Sequence, residues 1–249
     1  MIHLKSANEI EILRECNQIV AVILNTLKKH CQPGITTLEL DKIAEDLTFK
    51  YKAKAAFKGY KGFPGTLCTS VNEEVVHGIP SDRVLKDGDV VSIDYGVFHQ
   101  DFYGDAAVTI PVGQVSKEVK LLLQTTQESL ALGIEKASPG NHLGDIAAAI
   151  QVHAESRGFS LVKEFSGHGV GRNLHEEPAV LNYVSNGRGI SLKPGLVLAI
   201  EPMVNQGTDK VIILDDKWTV VTQDGKKSAH FEHSVAITEN GPEILSLGI

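Results

Sequence analysis

Four acidic residues close two copies of one pattern in this sequence. Leu85-Lys-Asp-Gly-Asp-Val-Val-Ser-Ile-Asp94 aligns without gaps on Leu192-Lys-Pro-Gly-Leu-Val-Leu-Ala-Ile-Glu201, an offset of 107 residues. A second acid follows in each copy, because Asp105-Ala-Ala-Val-Thr-Ile matches Glu232-His-Ser-Val-Ala-Ile. That offset is 127, so the connection between the acids is 20 residues longer in the second copy. Carboxylates repeated in this way point to one central site shared by two related halves. The stretch from Val90 to Ile110 has two β-rich arms around a polar turn and reads as a hairpin. With His99-Gln100 as a two-residue turn, Asp94 lies directly opposite Asp105, their Cβ atoms roughly 4.5–5.5 Å apart, where like charges repel. A shared proton or a cation between them relieves this. The alternative is two solvated acids in a different register.

Gly167-His-Gly-Val-Gly-Arg-Asn-Leu-His-Glu-Glu-Pro178 is the other concentrated stretch. Its glycine spacing is not that of a dinucleotide-binding turn, and no βαβ pattern surrounds it. It is not a zincin helix either, since His168 and His175 are seven apart. A histidine is, however, what four convergent acids still lack to make an oxygen-rich metal site. The glycine- and aromatic-rich loop Phe57 to Thr66 either caps the core or forms an apolar substrate pocket. Lys50, Lys52, Lys54, Lys58 and Lys61 beside it read as a solvated face, with an RNA-facing edge as the alternative.

The elements that must position these residues repeat as well. Ser6 with Glu9, and Thr36 with Glu39, are capping-box patterns. Apolar residues then follow at helical spacing: Leu13, Cys16, Val20, Ile23, Leu24 and Leu27, and later Leu40, Ile43, Ala44, Leu47 and Tyr51. The second half has Val119, Leu122, Leu123, Thr126 and Leu130, then Leu143, Ile146, Ala147, Ile150 and Ala154. Each half contains a Pro-Gly break, Pro33-Gly34 and Pro139-Gly140, between its helices. The expected fold is α+β, with helices on one face of a curved antiparallel sheet and the acids on the other.

At 249 residues the chain is one large domain or two tightly fused halves. Its 42% hydrophobic and 22% charged residues are those of a soluble globular protein, and a formal charge of −7 gives no support for DNA binding. The first residues do not show a basic-apolar-small signal pattern, so no signal peptide is expected, and the sequence has no membrane-length apolar run. Three cysteines, Cys16, Cys31 and Cys68, lack metal spacing and suit a reducing compartment, so a cytoplasmic location is expected.

Five motifs in order carry a family resemblance. Asn72-Glu-Glu-Val-Val-His-Gly-Ile-Pro80, Asp94 with Asp105, Gly167-His-Gly-Val-Gly, Ala199-Ile-Glu-Pro202 and Phe231-Glu-His-Ser234 resemble the bacterial-type type I methionine aminopeptidases over essentially the whole chain. No zinc-finger extension is expected, and the 25 residues between His175 and Glu201 leave no room for the insertion of type II enzymes. The resemblance implies one catalytic domain of the pita-bread fold, with pseudo-symmetric halves near 1–114 and 115–249. It implies two divalent ions (Co, Mn, Fe(II) or Zn) on Asp94, Asp105, His168, Glu201 and Glu232, with Asp105 and Glu232 bridging. Glu201 then moves the proton, His175 steadies the carbonyl oxygen, and His77 contacts the substrate backbone. Tyr60, Phe63, Cys68 and Trp218 fall at methionine-pocket positions. Phe57 and Leu174 depart from the pattern, where Cys and Phe are usual. The implied reaction removes N-terminal methionine from nascent polypeptides during protein maturation and favours a small second residue. A monomer, ribosome association and no membrane partner are expected. The competing readings are a proline-specific metallopeptidase of the same fold, which normally carries a long N-terminal domain, and a metal-free peptide- or RNA-binding module.

Overall fold

Capping starts the helices. In the computed structural model, which describes residues 2–249, α1 spans Ala7–His30 and α2 spans Thr37–Lys50. Both begin on reciprocal capping boxes, Ser6 with Glu9 and Thr36 with Glu39. The second half repeats the pair as α3 (Lys117–Lys136), capped by Ser116, and α4 (Leu143–Ser156). The apolar positions read from spacing are the buried ones, with Ile43, Leu47 and Leu143 only partly covered. Tyr51 instead ends α2 on the surface.

The strands, in chain order, are β1 (Lys54–Ala55), β2 (Cys68–Val71), β3 (Glu74–Val76), β4 (Val90–His99) and β5 (Phe102–Pro111) in the first half. The second half holds β6 (Ser160–Leu161), β7 (Gly167–Gly169), β8 (Glu176–Val180), β9 (Val197–Ile200) and β10 (Met203–Asn205). It closes with β11 (Val211–Ile213), β12 (Val220–Thr222), β13 (Ser228–His230), β14 (Glu232–Thr238) and β15 (Gly241–Ile244). One nine-stranded sheet runs β1-β4-β5-β14-β9-β7-β8, with β2 also on β4 and β15 also on β14. The repeat is visible in that order. β5 and β14 pair at the centre, and β4 and β9 flank them.

Alternation along β4 and β5 separates core from site. Val91, Ile93, Tyr95 and Val97, with Ala106, Val108 and Ile110, join the main core under the helices. Ser92 and Asp94, with Asp105, Ala107 and Thr109, take the other face. The hairpin register differs from expectation. Gln100 and Asp101 form the turn, both at positive φ (49° and 64°), so Asp94 pairs with Ala107 and Asp105 with Gly96. Two positive φ values are what a primed two-residue turn needs to match the right-handed twist of its strands. The acids are therefore diagonal neighbours on one face and not directly opposed. Gly104 sets how close the helix layer comes: a Cβ there would lie 2.8 Å from the Cys16 carbonyl carbon.

The longer connection of the second half builds a three-stranded sheet, β11-β12-β3. This brings the β11–β12 hairpin, with Trp218 in it, beside the end of β3, where His77 follows.

Candidate active site

A cavity of about 320 Å³ opens on the face of the sheet away from the helices. Asp94, Asp105, His168, Glu201, Glu232, His77, His175, Tyr60, Phe63, Cys68 and Trp218 all line it, as do Phe57 and Leu174. All the site residues read from the sequence are thus brought together.

At its floor, Asp105, His168 and Glu232 each present a ligand atom within 4.8 Å of the others. His168 Nε2 lies 3.5 Å from Glu201 Oε1 and 3.9 Å from Asp105 Oδ2. His168 Nδ1 donates to the Gly169 carbonyl at 2.8 Å, which leaves Nε2 free to bind a cation. Gly167 permits this placement, since a Cβ there would meet the Ala199 carbonyl oxygen at 2.2 Å. Asp94 Oδ1, Asp105 Oδ1 and Glu232 Oε1 are buried with no hydrogen-bond partner. Orphaned carboxylate oxygens are costly unless they are protonated or coordinate a cation. Burial pushes Asp94 up to about 7, and burial with neighbouring acids pushes Asp105 and Glu232 well above the carboxylate range. Four carboxylates and one imidazole fit a divalent-metal site, and the orphaned oxygens are its signature.

Supports around the floor come mostly from residues outside the quoted motifs. Asn17, fully buried on α1, accepts the Asp105 amide at 3.2 Å, and Ser234 Oγ donates to the Asp105 carbonyl at 2.8 Å. Asn182 donates to the Glu201 carbonyl at 3.0 Å. His230 Nε2 sits 3.3 Å from Glu201 Oε2. Burial opposes charge on His230, but the Glu201 carboxylate outweighs it and the pKa is raised. The signal for His230 was present, two residues before Glu232. Ser234 closes the Phe231–Ser234 motif, whereas Asn17 and Asn182 act through backbone groups and left none.

Two further histidines frame the cavity. His175 stacks on Tyr60, bonds its hydroxyl through Nδ1 at 3.0 Å and lies 4.2 Å from the His168 ring. Burial, then the His168 ring, lowers its pKa to about 4, so it is neutral at physiological pH. His77 is held at φ 60°, an uncommon conformation for a side-chain-bearing residue, and burial lowers its pKa too. Phe165, another residue the sequence reading missed, meets its ring edge-on at 5.5 Å.

The opposite end is apolar. Ala56, Phe57, Phe63, Cys68 and Leu174 form a buried cluster, with Tyr60 and Trp218 packed against it. Phe63 meets Trp218 edge-on at 5.2 Å. Burial, with nearby acids, raises the Cys68 pKa well above its usual value, so it serves as a thiol. Of the lysine run, Lys61 reaches the cavity rim over Tyr60 and Lys58 pairs with Glu45.

A buried cluster of acids and one imidazole, set on a pita-bread fold beside an apolar pocket, defines a metallohydrolase of peptides. The chain belongs to metallopeptidase family M24, whose model matches residues 11–239. It is 54% identical over 246 residues to methionine aminopeptidase 1 of Bacillus subtilis, covering 99% of both chains. The crystal structure of methionine aminopeptidase from Thermotoga maritima superposes with a TM-score of 0.97 at 46% identity, covering 99% of each chain. Prolidase from Pyrococcus furiosus shares the fold at a TM-score of 0.81 and 24% identity, with 66% of that chain covered. Among the described residues no helix is long and apolar enough to cross a membrane.

Proposed function

We propose that this protein is a dinuclear-metal aminopeptidase that hydrolyses the first peptide bond of chains beginning with methionine. The observation that carries the reading is the junction of two environments. The apolar cluster of Phe63, Cys68 and Trp218 opens onto the buried acids within one cavity. A thioether fits that cluster because it is polarizable and packs well on aromatic edges. Charged first residues are excluded by the cost of burying an unpaired charge.

Asp94, Asp105, His168, Glu201 and Glu232 would hold the two divalent ions (Co, Mn, Fe(II) or Zn). Bound there, the ions would supply Lewis acidity and a water of lowered pKa. The chain's own groups do the rest. Glu201 takes a proton from the attacking water and passes it to the leaving nitrogen. His175, neutral and oriented by Tyr60, donates to the carbonyl oxygen as charge develops on it. His77 contacts the substrate backbone on the leaving side. Limited room near the acids favours a small second residue. The substrates are nascent polypeptides in the cytoplasm, met by a monomer associated with the ribosome, and residues 1–249 form one catalytic unit of two halves.

The test is a tripeptide panel after metal removal and add-back. Met-Ala-Ser is cleaved only with divalent metal, whereas Lys-Ala-Ser and Met-Trp-Ser are poor substrates. Full activity without metal, or equal cleavage of all three, overturns the reading.

A further inference from the structure

The apolar end of the cavity stands on a segment with little regular structure of its own. From Ala56 to Leu67 the chain makes one short 3₁₀ turn, Tyr60–Gly62, and takes positive φ at Gly59, Lys61 and Gly62. Yet this segment supplies Phe57, Tyr60 and Phe63 and delivers Cys68 to β2. Apolar burial is non-directional and does not by itself fix where such a loop stands. Directional bonds are needed.

They come from α2. Asp41 lies on its buried face and is 8% exposed. Its Oδ1 accepts both the Thr66 amide, at 2.6 Å, and the Leu67 amide, at 3.1 Å. Those amides stand between Phe63 and Cys68, at the point where β2 begins and Cys68 comes into register with Asp94. One helical turn further along α2, Glu45 pairs with Lys58 at the other end of the same loop. The helix therefore grips the loop at both ends. Asp41 is absent from the cavity lining and lies outside the acid cluster.

We propose that Asp41 is a positioning residue for substrate selection: by holding the Thr66 and Leu67 amides it fixes the Phe63–Cys68 wall of the methionine pocket. The inference rests on the pocket assignment made above. Its reporter does not depend on turnover. Trp218 is the single tryptophan of the chain and touches Phe63, so its emission reads the position of that wall.

Asp41→Ala removes the acceptor, whereas Asp41→Asn keeps a carbonyl oxygen in its place. In Asp41→Ala the KM for Met-Ala-Ser rises about tenfold, as for loss of a buried hydrogen-bond acceptor. The preference for Met over Leu as first residue narrows, while kcat stays within about threefold because the acid cluster is untouched. Trp218 emission shifts to the red and free methionine binds more weakly. Asp41→Asn restores all of these. Amide exchange on the unmodified protein gives a reading independent of variant folding, with Thr66 and Leu67 protected. Rapid exchange at both amides overturns the proposal. So does Asp41→Ala with unchanged KM, selectivity and emission, or Asp41→Asn as impaired as Asp41→Ala. If the unmodified protein leaves Met-Ala-Ser uncut while Asp41→Ala still shifts the emission, the catalytic reading fails and the positioning role stands.

Discussion

Glu201 differs from the other acids of the floor in what surrounds its carboxylate. Asp94, Asp105 and Glu232 each keep an oxygen without a hydrogen-bond partner, whereas Glu201 has His168 beside Oε1 and His230 beside Oε2. Its backbone is tied by Asn182 as well. With the His230 imidazole beside Oε2, the carboxylate has a polar partner suited to proton transfer while Oε1 still faces the ligand cluster. Glu201→Gln keeps an oxygen ligand and nearly the same volume but removes the base. At matched metal occupancy, kcat should fall about 10²–10⁴-fold, with much less change in product affinity. A fully loaded variant within about threefold of the parent, far short of that penalty, would take Glu201 out of the proton path. Cysteine chemistry gives a second prediction at this scale. Burial pushes Cys16 and Cys31 up to about 12, so at pH 8 both are protonated in the folded chain. An alkylating reagent at that pH should leave them unlabelled until denaturant is added. Rapid labelling of either in the native state would contradict their burial. The four repeated acids and a histidine to complete them were legible from type and spacing, whereas His77, His175, Tyr60, Phe63, Cys68 and Trp218 were reached through the family resemblance. Asn17, Asn182 and Asp41 bond to backbone amides and carbonyls far away in the chain, and no local pattern announces such partners.

The elements were legible where one local rule decided them. The two capping boxes, the helical faces and the helix–break–helix plan in each half follow from sequence periodicity, and the structure has them all. The hairpin turn was displaced by one residue because two choices, His99-Gln100 and Gln100-Asp101, are close in composition. The twist of the strands decided for the pair that takes positive φ. Packing between layers was not legible at all. Gly104 is an example, since its role depends on α1 crossing β5 with backbone contact. Gly104→Val must push apart the helix and the strand that carries Asp105. A stability loss of about 1–3 kcal/mol is expected from such overpacking, measured by denaturant titration. Metal affinity should fall with it, because Asn17 on the displaced helix holds the Asp105 amide. A variant as stable as the parent would show that the helix layer yields freely.

On the scale of the whole molecule, the two halves bury acids that neither half could neutralise alone. In the metal-free fold, burial pushes Asp94 up to about 7, and burial with neighbouring acids pushes Asp105 and Glu232 well above their usual values. A carboxyl whose folded pKa lies above its unfolded value contributes stability below the unfolded pKa. That stability is lost as pH rises through the folded pKa. The metal-free protein should therefore lose stability from these groups as pH rises from about 4, the ordinary carboxylate range, through about 7 for Asp94 and onward for Asp105 and Glu232. His233 runs the other way. Burial lowers it to about 4, so its contribution is gained as pH rises towards the ordinary histidine value. A single melting curve mixes the two. The difference between metal-loaded and metal-free protein separates them, because His233 is present in both and largely cancels. Divalent ions replace the protons on the acid cluster, so their stabilising effect should be larger at pH 8 than at pH 5. At a free metal concentration of 100 times the dissociation constant, the gain is about 2.7 kcal/mol. Lowering the pH weakens binding because protons compete for the same carboxylates. Thermal melts at the two pH values, each with and without metal, measure this directly. An equal metal-induced shift at pH 5 and pH 8 would mean that the ion does not take the place of protons on Asp94, Asp105 and Glu232.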